Sequence, residues 1–267
     1  MAMLVLAAAC RGDELSDKGR EIFKHNHQSV VTVQVVLKST YAGGGRSSNP
    51  TESKQDLTGV VIDPSGLTVT ALSAVDPSEL YRRMFDEFKG ESEVTDIKIL
   101  LEDGTEMPAE IVLRDKDLDL AYLRPKNKPA TPLAALDLSK PATVDVLDPL
   151  IALNRLNRAT GRAYSATVER VDAVMQKPHT FYIPGMGASS ASLGSPAFAL
   201  NGNVVGLFVM RAVKGGDNSG RNARENMTVV LLPAADILKG AAQAPEAKGG
   251  SDKTTGAAPD NAGKDQK

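Results

Sequence analysis

Residues 191–207 read Ala191-Ser192-Leu193-Gly194-Ser195-Pro196-Ala197-Phe198-Ala199-Leu200-Asn201-Gly202-Asn203-Val204-Val205-Gly206-Leu207, and this stretch decides the fold. Small residues over Ala191–Ser195 form a loop. Pro196–Leu200 is a short apolar run, Asn201-Gly202 a turn, and Val204–Val213 a second run rich in β-branched residues. That order is loop, strand, turn, strand.

The same reading extends through the chain. Residues 11–20 are polar and read as a tether, and residues 15–28 as a short helix leading in. Val31, Val33, Val35 and Leu37 alternate along one strand. Residues 42–56, with Gly43-Gly44-Gly45 and Ser47-Ser48-Asn49-Pro50, read as a loop, and these glycines lack the Lys-Ser/Thr of a phosphate loop. Thr58–Asp63 and Leu67–Ala71 are strands about Asp63-Pro64-Ser65-Gly66, a type I turn by its Pro and Gly positions. Asp76-Pro77-Ser78-Glu79 resembles a capping box and opens a surface helix running to about Gly90.

Ile97–Leu101 and Glu106–Leu113 form a hairpin about Asp103-Gly104, followed by a strand at Leu118–Leu123. The prolines at 125, 129, 132 and 141 keep residues 125–141 out of a sheet, so this stretch links two halves, about 20–124 and 142–242. The second half has strand runs at Leu150–Leu153, Ala163–Val174, His179–Ile183, Pro196–Leu200, Val204–Val213 and Met227–Leu232, then a closing helix at Pro233–Ala241. Residues 243–267 carry almost nothing large and apolar and read as a disordered tail. Many short strands and few helices in two halves predict an all-β chain, and this pattern leaves open two barrels or a sandwich.

Of the 267 residues, 42% are hydrophobic, enough for a core; with 4% aromatics and no Trp, that core must be built from Val, Leu, Ile and Ala. The net charge of −2, with both signs dispersed, gives no electrostatic case for nucleic acid. His25-Asn26-His27 places two imidazoles facing apart on a helix with no Cys or carboxylate cluster beside them, so no metal is expected there. No cofactor is expected either.

Five fragments in order resemble the trypsin-like serine proteases, and within them the HtrA/Deg branch. Gly59-Val60-Val61-Ile62-Asp63-Pro64-Ser65-Gly66-Leu67-Thr68-Val69-Thr70 is similar to that branch's Gly-x-Val-Ile-Asp-x-x-Gly-x-Ile-Leu-Thr, which continues into Asn-x-His-Val-Val. Here the continuation is Ala71-Leu72-Ser73-Ala74-Val75, so Ser73 stands in the histidine position. Asp103-Gly104 with Ala109-Glu110-Ile111-Val112 resembles the family hairpin. Asp115-Lys116-Asp117-Leu118-Asp119-Leu120-Ala121 resembles Asp-x-x-x-Asp-Leu-Ala and aligns Asp119 with the triad aspartate. The loop at 191–197 resembles Gly-Asn-Ser-Gly-Gly-Pro-Leu, with Leu193 in the serine position and Ala191, Ser192, Gly194 and Ser195 as its oxyanion-loop neighbours. Val230-Leu231-Leu232-Pro233 resembles the late Ala-Ile-Pro strand end. The likeness covers about residues 28–240, and the helix near 77–90 is an insertion relative to it.

This resemblance implies two six-stranded antiparallel β-barrels with a few short helices. The family's mechanism needs a hydroxyl nucleophile, an imidazole base and a carboxylate that orients it. Only the carboxylate, Asp119, is present. Leucine cannot attack a carbonyl, and a serine at 73 has no group that accepts a proton at neutral pH. Losing one triad member costs about four to six powers of ten in rate, so the usual hydrolysis is not expected. The expectation is a pseudoprotease binding an extended peptide or a protein partner, with Asp119 kept as a buried acceptor. The alternative is a working hydrolase in which a serine within 189–195 is activated by His179.

Met1-Ala2-Met3-Leu4-Val5-Leu6-Ala7-Ala8-Ala9-Cys10 is an apolar run, then small residues, then the one cysteine of the chain. It resembles a bacterial lipoprotein signal with Cys10 as the lipidated residue, although no Lys or Arg precedes the run; an ordinary secretory signal fragment is the plainer reading. Residues 1–19 are thus expected to be a signal and tether. Either reading exports the domain to the bacterial envelope, the first with a lipid anchor in the membrane.

Overall fold

The computed structural model describes residues 13–40, 42–43, 46–47, 49–84, 90–185, 192–213 and 226–246. Cys10, Ala191, Ser189, Ser190 and the tail from 247 onward lie outside the described residues.

Helix α1 (Glu14–Asn26) precedes the barrels. Asp13 caps it, accepting from Leu15 N at 3.3 Å and Ser16 Oγ at 2.8 Å. The short helix expected over 15–28 is thus present, beginning at Glu14 inside the polar stretch 11–20. Gly19 is buried at its docking face, where an added Cβ would lie 3.3 Å from Ile151.

The first barrel is closed by β1 (Val30–Thr40), β4 (Thr51–Val61), β5 (Thr68–Ala71), β6 (Glu91–Leu100), β7 (Glu106–Asp115) and β8 (Leu120–Pro125), in the order β1-β4-β5-β8-β7-β6. A small ribbon, β2 (Ala42–Gly43) with β3 (Arg46–Ser47), lies between β1 and β4. The second barrel closes as β10-β11-β14-β13-β12-β9, from β9 (Pro149–Arg155), β10 (Tyr164–Met175), β11 (Phe181–Pro184), β12 (Pro196–Phe198), β13 (Val204–Ala212) and β14 (Met227–Pro233). All pairings are antiparallel. The two six-stranded barrels expected from the family resemblance are present. Closure matters physically because it removes the unpaired sheet edges that an open sheet would expose.

The alternation seen in sequence does what it should. Val31, Val33, Val35 and Leu37 of β1 point into the first barrel with Ile97, Ile99 and Leu123. Leu150, Phe208 and Leu231 fill the second. A shared core of Val69, Leu120, Tyr122, Ile151, Leu207 and Leu232 joins the barrels. Helix α4 (Ala234–Ala241) closes that core, with Tyr122 Oη donating to Ile237 O at 2.7 Å.

Three local features differ from the sequence expectations. Strand β4 begins at Thr51 inside the expected loop, because its whole length pairs with β1. Pro125 ends β8 opposite Ala109 instead of starting the link, a strand-terminal place where a missing N–H is tolerated. Residues 243–246, expected in the tail, are held: Arg124 Nε donates to Pro245 O at 2.9 Å and Arg124 Nη2 lies 3.4 Å from Glu246.

After β5 the chain forms α2 (Leu72–Val75), which carries Ser73, and then α3 (Pro77–Met84) in the segment expected as an inserted surface helix. Helix α3 packs on β6 of the first barrel and β13 of the second. Its expected capping-box carboxylate is used otherwise: Glu79 binds Lys116 and Arg82, each at 2.7 Å. Those cations hold Glu79 below its ordinary carboxylate range, with the Lys116 hydrogen bond the largest influence.

Candidate functional site

The site lies where the two barrels meet. Asp119 sits at the end of the β7–β8 turn, where Asp115 Oδ1 accepts from Asp117 N at 3.1 Å and Leu118 N at 3.0 Å. This turn drives Asp119 to φ +58°, a region Asp tolerates better than most residues. Its own carbonyl accepts from Leu72 N at 2.9 Å, which fixes α2 beside it.

The Asp119 carboxylate is 2% exposed and Ser73 is 6% exposed. Asp119 Oδ1 accepts from Ser73 N at 2.7 Å. Oδ2 accepts from Ser73 Oγ at 2.8 Å and from Met210 N at 2.7 Å. A buried carboxylate is tolerable only with such donors. The three bonds tie β8, α2 and β13 together across the interface.

The loop before β12 supplies the other half. Leu193 is 7% exposed. Gly194 has φ +82° and donates its N–H to Phe208 O at 2.8 Å. A Cβ at Gly194 would stand 2.1 Å from Thr58 O and 2.6 Å from Thr70 Oγ1, so only glycine fits between the barrels there. Ser195 N donates to Ser192 O at 3.0 Å, closing the turn. Ser195 is 1% exposed, and among the described residues its Oγ has no hydrogen-bond partner.

The three histidines are placed elsewhere. His25, on α1, has Nδ1 2.7 Å from Glu21 O, and His27, just past the end of α1, has Nδ1 3.0 Å from Phe23 O. His27 stacks on Phe23 and meets the edge of Tyr164. His179 is exposed and sits edge-on to Phe181, whose ring also receives the Arg211 guanidinium at 5.1 Å. Among the described residues, no group of three His, Cys, Asp or Glu side chains is placed to hold a metal.

Sequence reasoning missed a polar seam beside the site. Thr58 Oγ1 donates to Asn154 Oδ1, and Arg155 Nε donates to Thr32 Oγ1 at 3.3 Å. Asp56 accepts from Gln34 at 2.9 Å and from Arg162 at 2.7 Å. Burial pushes the Asp56 carboxyl up, but Arg162 and Gln34 outweigh it and hold the group below its ordinary range. Arg155 lies over the Tyr164 ring at 4.1 Å, while burial pushes the Tyr164 hydroxyl upward. The signal was available: Thr32, Gln34, Asp56 and Thr58 occupy the face of β1 and β4 opposite the apolar row.

No curated protein matches the sequence significantly. Residues 57–207, more than half of the chain, match the trypsin-like peptidase domain family. With two closed six-stranded barrels and a loop-and-carboxylate site at their junction, the chain belongs to the trypsin-like peptidase family.

Proposed function

We propose that this trypsin-like domain is catalytically inactive and works as a peptide-binding module of the bacterial cell envelope, derived from the HtrA/Deg branch. The observation that carries this reading is the Ser73–Asp119 pair. The serine hydroxyl occupies the carboxylate oxygen that would orient an imidazole, and a buried Leu193 takes the nucleophile position. No proton acceptor and no attacking atom then remain at the two places the mechanism needs them.

The reading of a rearranged active serine finds less support. Among the described residues Ser195 Oγ has no partner, and exposed His179 packs against Phe181. A nucleophile needs a base within hydrogen-bond reach.

The binding reading is supported by the geometry of β13. Among the described residues, this strand pairs with β14 along Gly206–Ala212 but with β12 only as far as Leu207. Phe208 N turns to Ser195 O and Met210 N to Asp119, both on the β12 side. By strand alternation Ala212 presents its N–H and C=O to that same edge. An extended peptide adding there would extend the sheet. Export is supported by the apolar run before Cys10.

The test combines two measurements on unfolded casein. The protein is expected to release no fragments above buffer, yet to retain casein-derived peptides when immobilised. Ala212→Pro removes the outward N–H without taking a bond from the β13–β14 ladder, so it should abolish retention. Casein cleavage, or retention unchanged in A212P, contradicts the reading.

A further inference from the structure

The inward rows of the first barrel change character toward one end. Cross-strand partners on β1, β4 and β6 define successive layers. Val33 pairs with Leu57 and Ile99, then Val35 with Gln55 and Ile97. Leu37 follows with Ser53 and Val94, and Ser39 with Thr51 and Ser92. The first layer is wholly apolar, the last wholly hydroxyl. Inward positions of a small barrel ordinarily carry its core. A polar run on that face breaks the pattern that stabilises the fold, and such breaks concentrate at functional sites.

A cavity of about 300 Å³ lies at this mouth. Leu37, Ser53, Gln55 and Ser92 line it from the strands, and Ser78 and Tyr81 from α3. Behind the serines is the buried Asp76 carboxylate. Ser78 Oγ donates to Asp76 Oδ1 at 2.7 Å, Ser92 Oγ donates to the same oxygen, and the two hydroxyls are 2.8 Å apart. Arg82 donates to Ser78 Oγ at 3.0 Å. With their protons committed to Asp76, the serine oxygens offer lone pairs, while Gln55 is a residue type that both donates and accepts.

These groups select a chemistry. Among the described residues that line the cavity none is cationic, Glu91 is one of them, and the Arg82 guanidinium behind Ser78 is paired with Glu79, so an anion is disfavoured. The floor strand β1 is paired on both edges, with β4 and β6, which leaves it no free edge for a peptide. Leu37 and the Tyr81 ring supply apolar contact of the kind that suits the C–H face of a sugar. The volume is at the low end for small-molecule sites. We infer that the mouth of the first barrel binds a neutral, hydroxyl-rich ligand about the size of one sugar ring. The site is separate from the Ser73–Asp119 junction and does not depend on the peptide-binding reading.

The test is a titration of the ¹⁵N-labelled full chain with glucose and with N-acetylglucosamine, followed by amide chemical shifts. Saturable shifts are expected at Leu37–Ser39, Ser53–Gln55 and Ser92 with at least one of the two sugars. Ser53→Val should weaken that binding about tenfold, as expected for a lost ligand hydrogen bond. Gln55→Leu serves the same purpose should S53V lose its dispersed spectrum. Glucose 6-phosphate should bind more weakly at these amides. Absence of saturable shifts there with both sugars, unchanged affinity in the folded variant, or equal binding of the phosphorylated sugar overturns the inference.

Discussion

Replacing Asp119 with alanine removes one carboxylate and strands three donors at once. Ser73 N, Ser73 Oγ and Met210 N approach it at 2.7, 2.8 and 2.7 Å in a site 2% exposed. A buried donor left without an acceptor costs about 1–3 kcal/mol. The hydroxyl can rotate to another partner, but the two backbone N–H groups cannot. Alanine at φ +58° adds about 1 kcal/mol of backbone strain. D119A is therefore expected to lose about 3–7 kcal/mol, much of the stability of an ordinary domain. Asparagine keeps the shape and tolerates the backbone, but either amide orientation sets its NH₂ against one backbone N–H. D119N should lose about 1–3 kcal/mol. Ser73→Ala leaves both backbone bonds to Asp119 and should lose only about 1 kcal/mol. Urea unfolding followed by far-UV circular dichroism measures all three, since the chain has no Trp. S73A as damaging as D119A, or D119N within about 0.5 kcal/mol of the parent, would refute the idea that Asp119 is held as a structural clamp between the barrels.

Three further outcomes follow from the geometry. Gly194→Ala sets a Cβ 2.1 Å from Thr58 O at φ +82°, so a loss of about 3 kcal/mol or more is expected, read as a fall in thermal midpoint. Tyr122→Phe removes the bond to Ile237 O at 2.7 Å and should cost about 1–2 kcal/mol by urea unfolding, loosening α4 from the first barrel. Asp56 is held below its ordinary range in the folded state, so the folded chain binds fewer protons at this group than the unfolded chain. Its contribution is then complete above the ordinary carboxylate pKa, about 3.9, and is lost as pH falls through the lowered folded value. The stability gap between the parent and Asp56→Asn should be widest near neutrality and close in acid, measured as urea midpoints across that range.

The strands were legible in sequence from alternation where one face is polar, as with Val31, Val33, Val35 and Leu37, and from continuous apolar runs where both faces are buried, as along Val204–Val209. The closing order of the strands was not legible from alternation, which is equally compatible with a sandwich; it came through the motif likeness around Gly59–Thr70 and Leu193–Pro196. Strand starts were misread where the inward row is polar. Thr51, Ser53 and Gln55 look like a loop because the inward row of β4 turns polar over its last three layers. At the junction, Ser73, Asp119 and Leu193 were singled out by position in the motifs. The partner Met210 was not, since it acts through a backbone N–H that any residue but proline supplies. The capping pattern at Asp76–Glu79 marked the start of α3 correctly, but its carboxylate Glu79 has a better partner in Lys116, distant in sequence.

The most direct test of inactivity is exposure of the folded full chain to a fluorophosphonate serine-hydrolase probe, beside an active trypsin-like protease, read by intact mass and peptide mapping. The account predicts no adduct on the protein while the control is fully labelled. A stoichiometric adduct on a single serine, whether Ser73, Ser192, Ser195 or one of 189–190, would contradict it and identify an activated nucleophile.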